Sequence, residues 1–457
     1  MSSIGRLINI ILDCAPEDRI DLFKAFPSIY HFFKRRRLHA VIRTIGDVIF
    51  SFLILIGLFG PQEPERNCSL YLSWGVWWPS IVLSWFFVGR MWCGFCPFPG
   101  VGRLAQKLGL CLDLKIPHSL RKHAAYWSLF LLILIFWIEE STPIKESPRA
   151  TALLILSILA GATITAMVFP KQTWCRYLCP MGRLIGVAST VSLLEFRPDH
   201  DKCRECKTFA CKRGIPGQVE GCPVFLGAYN VRNNLECLVC GHCLKACDKG
   251  SPQLNIRSPL RELLTNKGRF ITCSYIIPFL MGSQLVRFWG QSIWAPPIML
   301  SHEPVALSMG LNLVFMAVGF IYVYAIIRLG AWLFGFTEDE LFGKFSPMVP
   351  ILLPMAFAGE LAYRLNYAVA NAPDFFPTLA RQFGLPSLMS WTFVCPDWIF
   401  PLLDSLIICF AVVVSLFVLY RFISGEFHGL VSMWRSWSIA GLIYLMGFSY
   451  LVFMLNS

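Results

Sequence analysis

Eight cysteines, Cys203, Cys206, Cys211, Cys222, Cys237, Cys240, Cys243 and Cys247, crowd into one polar stretch of an otherwise apolar chain. Cys237-x2-Cys240-x2-Cys243-x3-Cys247 has the spacing that wraps a cubane iron–sulfur cluster. Cys203-x2-Cys206-x4-Cys211, then Cys222 followed by Pro223, is a stretched form of the same run. Thiolates are soft ligands and suit iron–sulfur chemistry. Three close cysteines grip three corners of a cluster, and in two-cluster ferredoxins the fourth comes from the other run. The spacing therefore predicts two 4Fe–4S clusters. Cluster A takes Cys203, Cys206, Cys211 and Cys247; cluster B takes Cys237, Cys240, Cys243 and Cys222. Zinc and disulfides are the plainer readings. Structural zinc, however, favours two well-separated C-x2-C pairs, and a triple with two-residue gaps fits a cubane better.

Four more cysteines form an internal repeat. Trp92-Cys93-Gly94-Phe95-Cys96-Pro97 is followed by Gly102-Arg103-Leu104, and Trp174-Cys175-Arg176-Tyr177-Leu178-Cys179-Pro180 by Gly182-Arg183-Leu184. Repeats in membrane proteins tend to place a shared site at their interface. Cys93, Cys96, Cys175 and Cys179 could jointly hold a third cluster or a metal, form a redox-active dithiol in each elbow, or simply end a segment before proline. Arg90, Arg103, Arg176 and Arg183 could neutralise a thiolate-rich site, although basic residues flanking membrane segments are their simpler explanation.

Intramembrane ionisable residues default to a functional hypothesis. Glu360 and Arg364 lie four apart on one helical face and can pair, so they read either as a structural bridge or as a quinone or proton site with His302 or Glu303. A quinone pocket nearer the elbows is easier to reconcile with electron flow, and Trp92, Trp174 and Trp332 are candidates to line it, though interfacial tryptophans are usually anchors.

These groups need a scaffold. Of 457 residues 56% are hydrophobic and only 15% charged, which describes an integral membrane protein. The net charge of +12 follows from basic residues that fix orientation, so nucleic acid is not expected as a partner. Apolar runs of spanning length fall near 41–60, 71–90, 122–138, 151–169, 270–288, 306–327, 347–368, 403–423 and 437–455. The predicted fold is an all-α polytopic membrane protein of about nine transmembrane helices, with a small α+β ferredoxin-like two-cluster domain inserted on the cytoplasmic side. Its parts are an N-terminal segment (1–38), a duplicated four-helix membrane unit (39–195), the ferredoxin-like domain (196–262) and a five-helix membrane domain (263–457). Ile4, Leu7, Ile8, Ile11 and Leu12 suggest a short surface helix, and residues 184–194 an interfacial one. Residues 1–38 lack the features of a cleavable secretory signal.

Lys34 to Arg37 precede the first span, and Arg90, Arg103, Lys107, Lys115, Arg121 and Lys122 follow the second. The loop between them holds only Arg66, which puts the N-terminus and the clusters on the cytoplasmic side. An odd number of spans leaves the C-terminus outside. The cysteine usage implies a reducing compartment for the cluster stretch, at a cytoplasmic (inner) membrane.

The paired elbows followed by two cluster runs resemble the membrane polyferredoxin family of the NapH/NosR type, over about residues 39–255. The resemblance implies an iron–sulfur quinol-dehydrogenase subunit that passes electrons between the quinone pool and a protein redox partner in a respiratory complex. Cys175-x3-Cys179-Pro180 fits the family elbow, whereas Cys93-x2-Cys96-Pro97 is one residue short, and Cys247 is followed by Asp248 rather than proline. The last five spans have no counterpart in the nitrate-type subunit. Copper-handling assembly proteins share cysteine elbows as well, so metal handling is a second reading and a docking subunit a third. Lys202, Lys207, Lys212 and Arg213 are suited to steering an acidic partner. There is no C-x-x-C-H haem site and no phosphate-binding loop.

Overall fold

The structure is a computed structural model and describes residues 3–11, 19–35, 37–265, 271–301, 304–335, 347–425, 428–429 and 431–456. It divides into two compact units. One comprises Met1–Ile54, Leu83–Leu131 and Leu153–Glu262; the other comprises Leu55–Val82, Leu132–Ala152 and Leu263–Ser457.

The first unit holds all twelve cysteines of the runs and elbows. Its sheet is built from β1 (Ile20–Asp21), β2 (Leu194–Pro198) and β5 (Pro252–Ile256), with β3 (Gly214–Ile215) and β4 (Val219–Glu220) as a separate hairpin. β5 is the middle strand and pairs antiparallel with both β1 and β2. Because β2 precedes the cysteine stretch and β5 follows it, their pairing ties its two ends together. Phe196 lies opposite Leu254 in this register, and both are buried in a core with Phe23, Phe33, Leu244 and Val239. The tied segment is folded into short helices, each carrying a cysteine: His200–Arg204, Ala210–Arg213 and His242–Ala246. Asp199 caps the first by accepting hydrogen bonds from the Asp201 and Lys202 amides.

Residues 184–194 depart from the interfacial helix expected of them. The helix Pro180–Ala188 is followed by a 3₁₀ turn and then by β2, and Leu184 to Ala188 are all buried. Its small residues explain the difference: at Gly186 any side chain would meet the Leu235 carbonyl at 2.7 Å, so the helix packs inside the unit.

Among the described residues, seven helices are long and apolar enough to cross a membrane: Leu38–Phe59, Ala124–Ser141, Pro148–Val168, Val305–Leu333, Met348–Asn371, Ile399–Ser424 and Met433–Met454. On the first of these Val41, Ile45, Val48 and Ile49 are exposed, at the helical spacing of a lipid-facing stripe. Two expected spans fall outside this set. Residues 71–90 form a π-helical stretch, Tyr71–Trp77, running into the helix Trp78–Val88, and 270–288 coincides with Ile271–Gln291, which carries Gln284 and Arg287.

In the second unit Met348–Asn371 is the central helix. Its spanning segment is 83% buried against 33% for each of Val305–Leu333, Ile399–Ser424 and Met433–Met454. Helices Ile271–Gln291 and Val305–Leu333 meet at Gly282 and Gly319, where a Cβ on either would lie 2.5–2.6 Å from the other's backbone. Small residues let membrane helices approach this closely.

Candidate iron–sulfur centres and a buried charge network

Backbone strain marks the cysteine loops. Phe209 and Val239 have φ near +50°, a conformation that a bulky or β-branched residue rarely adopts, and Gly241 has φ +79°. Val239 sits between Cys237 and Cys240 and is fully buried. The left-handed turns redirect the chain within two residues of a cysteine, as wrapping a compact cofactor demands.

Cys203, Cys206, Cys211 and Cys247 line one small cavity. Cys203 Sγ lies 3.0 Å from Ser251 Oγ and Cys206 Sγ 3.6 Å from Thr208 Oγ1. The Thr208 hydroxyl lowers the Cys206 thiol below its ordinary value, while burial raises that of Cys211. Cys237, Cys240 and Cys243 face one another and Cys222. Burial pushes Cys237 up to about 11 and Cys240 up to about 12, and Cys243 well above its ordinary range. Cys211 is also an electrostatic neighbour of Cys243, and the Cys222 amide donates to the Cys211 carbonyl at 3.0 Å, so the two sets adjoin.

The elbows converge as well. Cys93, Cys96, Cys175 and Cys179 interact electrostatically as one group. Burial raises Cys96 and Cys175 well above the ordinary thiol value and Cys179 to about 11. The one-residue difference between the elbows has a structural counterpart: Met91–Phe95 is α-helical, whereas Trp174–Leu178 is a π-helical turn, which takes up an additional residue. Cys179 then caps the helix Pro180–Ala188, its Sγ accepting from the Gly182 amide at 3.2 Å. Arg90 is 6% exposed, donates to the Leu235 carbonyl at 2.5 Å and lies close to Cys175 and Cys179; Arg103 is near Cys175. Arg176 donates to the Val224 carbonyl at 2.7 Å, and Arg183 lies near Arg90.

The first elbow touches the second run. A Cβ on Gly94 would lie 2.5 Å from Cys240 Cβ, and Cys93 and Cys175 pack against the core that contains Cys237 and Cys240. All three thiol sets are thus contiguous within one unit. The donor chemistry fits iron–sulfur clusters. A buried thiol holds its proton until a cation replaces it, and metal binding supplies that exchange. Among the described residues no three His, Cys, Asp or Glu side chains are grouped to hold a single metal ion. A four-iron cubane is larger than one ion and keeps its ligands further apart.

The second unit holds a buried charge network. Arg364 Nε lies 2.8 Å from Glu360 Oε1, the pairing their spacing suggested. Four further residues join them that sequence reasoning had not placed there. Arg364 reaches Glu139 at 2.6 Å, and Arg287 reaches Glu139 and Glu360 at 3.2 Å each and Glu140 at 3.0 Å. Lys145 contacts Glu140 at 3.1 Å, Glu139 at 3.4 Å and the Tyr363 hydroxyl. Burial works against the Lys145 ammonium, but Glu140 and its neighbours hold its pKa above the ordinary value. The guanidinium of Arg287 also stacks 4.1 Å from the Phe136 ring and that of Arg364 4.7 Å from Trp78. A cavity of about 650 Å³ opens onto Glu139, Glu140, Lys145, Arg287 and Tyr363. The available signal in the sequence is the Glu139-Glu140 pair closing one apolar span and Arg287 near the end of another. His302 and Glu303 lie outside the described residues.

The family model described as a 4Fe-4S binding domain matches residues 70–112 and 151–191, and each segment contains one elbow. An uncharacterized protein of Methanocaldococcus jannaschii is 28% identical over 38% of this chain and 66% of its own length. The methylamine utilization ferredoxin-type protein MauN of Methylorubrum extorquens is 33% identical over 25% of this chain and 44% of its own. The ferredoxin-type protein NapH of Haemophilus influenzae is 29% identical over 36% of this chain and 63% of its own. The chain thus spans less than two thirds of each of these relatives. No solved structure matches it. A 4Fe-4S binding domain and clustered thiols thus stand in one chain with helices apolar enough to cross a membrane. Over these parts of its length the chain is similar to membrane polyferredoxins of the NapH/NosR type.

Proposed function

We propose that the protein carries single electrons between the quinone pool and a protein redox partner, as a quinol-dehydrogenase subunit. Two 4Fe–4S clusters would be held by Cys203, Cys206, Cys211 and Cys247 and by Cys237, Cys240, Cys243 and Cys222. A third centre would be held by Cys93, Cys96, Cys175 and Cys179. The observation that carries this reading is the contiguity of the three thiol sets, with Cys211 beside Cys243 and Gly94 against Cys240. The family match across both elbows supports iron–sulfur binding there.

Clusters supply one-electron redox chemistry, and the protein sets their spacing and surroundings. Buried Leu238, Val239 and Leu244 keep water from the second set. Arg90 and Arg103 bring positive charge to the elbow thiols. Lys202, Lys207 and Arg213 are exposed around the first set and suit an acidic soluble partner. In this reading Glu360 and Arg364 bridge helices rather than react. The basic loops support clusters on the cytoplasmic face of an inner membrane, with the C-terminus outside.

Protein purified without oxygen should hold about twelve irons, three cubanes of four. Quinol should bleach the visible cluster absorption, and paramagnetic resonance should resolve three reducible centres. A stoichiometry of about eight irons would remove the elbow centre. Colourless protein containing zinc would remove the whole proposal.

A further inference from the structure

Beside the first elbow lies a cavity of about 400 Å³, within the size range of small-molecule sites. Its walls differ in character. One is ionic, formed by Arg43, Asp47 and Arg103; the other is apolar, formed by Phe98, Leu104 and Leu159. Leu104 is 58% exposed at its rim, so an occupant can enter from outside the protein. Pro97 and Phe98, which directly follow Cys96, also line it.

The ionic wall is incomplete. Among the described residues, Arg43 Nε and Arg103 Nη2 are buried N–H groups without an acceptor. Leaving a buried donor unpaired is costly, so an oxygen delivered by a ligand is favoured there. Asp47 faces both arginines, and its carboxylate lies 2.8 Å from where a Cβ on Gly100 would stand. Arg43 is an electrostatic neighbour of Asp47, Cys96 and Cys240 together, and it donates to the Gly94 carbonyl at 3.4 Å. One side chain thus links the cavity to the elbow and to the second cysteine run. Trp92, Trp174 and Trp332 do not line this cavity. The larger cavity of the other unit offers a poorer match, because Glu139, Glu140, Glu360, Lys145, Arg287 and Arg364 already pair with one another.

We propose that this cavity is the quinol site, with the ring oxygens on Arg43 and Arg103, the tail along Phe98, Leu104 and Leu159, and Asp47 as the proton acceptor. The half-reaction is quinol to quinone plus two protons and two electrons. Each hydroxyl O–H breaks in turn, and its proton passes to the Asp47 carboxylate and then to water past the Lys107–Glu220 pair, which is 3.2 Å apart and half exposed or more. The electrons leave singly to the iron–sulfur centres proposed above. That last clause rests on the proposed function; the binding site does not.

Two measurements on the full chain in detergent test it. A photoreactive azidoquinone should label residues within 40–54 or 97–107, and Leu159→Trp, which fills the cavity, should weaken equilibrium quinone binding at least about tenfold. Asp47→Asn should slow cluster reduction by saturating menadiol at least about tenfold, with bleaching by dithionite unchanged. Labelling elsewhere, or unaltered binding in Leu159→Trp, overturns the site. An unaltered menadiol rate in Asp47→Asn overturns the proton role. Protein without iron that still binds quinone through this cavity would sink the electron-transfer function and leave the site standing.

Discussion

Gly94 shows how much can depend on one missing side chain. A methyl group there would overlap Cys240 and crowd its Cα at 3.2 Å, and neither atom belongs to a flexible tip. Gly94→Ala should therefore displace the second cysteine run and lower the iron content by about one cubane, four irons, measured chemically per chain. A full complement of iron in that variant would mean the elbow and the run are further apart than described. The cysteines themselves were legible, because ligand spacing is a local property of sequence. The network around Glu360 was legible only in part. Arg364 is four residues away on the same helix, but Arg287, which also binds Glu360, and Glu139 and Glu140, which bind Arg364 and Arg287, come from other elements of the fold. Nothing in the local pattern distinguishes a carboxylate at a span's end that turns inward from one that faces water.

Among elements, hydrophobic length located the long helices well. It was weaker where a helix changes register or carries polar groups, as in Tyr71–Trp77 and Ile271–Gln291. The same limit explains residues 184–194, whose apolar pattern suits a membrane surface and a protein interior equally well. Burial of Leu184 to Ala188 came from packing that small residues permit and composition does not announce. The two elbows looked like a matched and a defective copy; the π-helical turn at Trp174–Leu178 shows instead that the longer copy carries its additional residue inside the helix. Close helix contact makes a further claim testable. Gly319→Val should force Val305–Leu333 away from Ile271–Gln291 and cost about 1–3 kcal/mol, the usual penalty for overpacking. Thermal unfolding in detergent should show a lower midpoint than for an alanine placed at Gly310, which has open space around it.

At the scale of the molecule, seven helices among the described residues meet the length and apolarity needed for a crossing, and the expected spans 71–90 and 270–288 fall outside that set. The odd number of spans expected from the sequence puts the chain's ends on opposite sides. A reporter active only outside the cytoplasm should be active when fused after Ser457, and one fused before Met1 should be silent; the reverse pattern would invert the placement of the clusters. The buried ionic network bears on how such a chain is made. Glu139 and Glu140 emerge from the ribosome well before Arg287 and Arg364, and a charged side chain alone in hydrocarbon is costly. Lys145 follows within a few residues and offers the two carboxylates a single ammonium. One of them has to remain protonated or sheltered during biogenesis until the later segments arrive with their guanidinium groups, which makes insertion of the C-terminal half a condition for completing the N-terminal one.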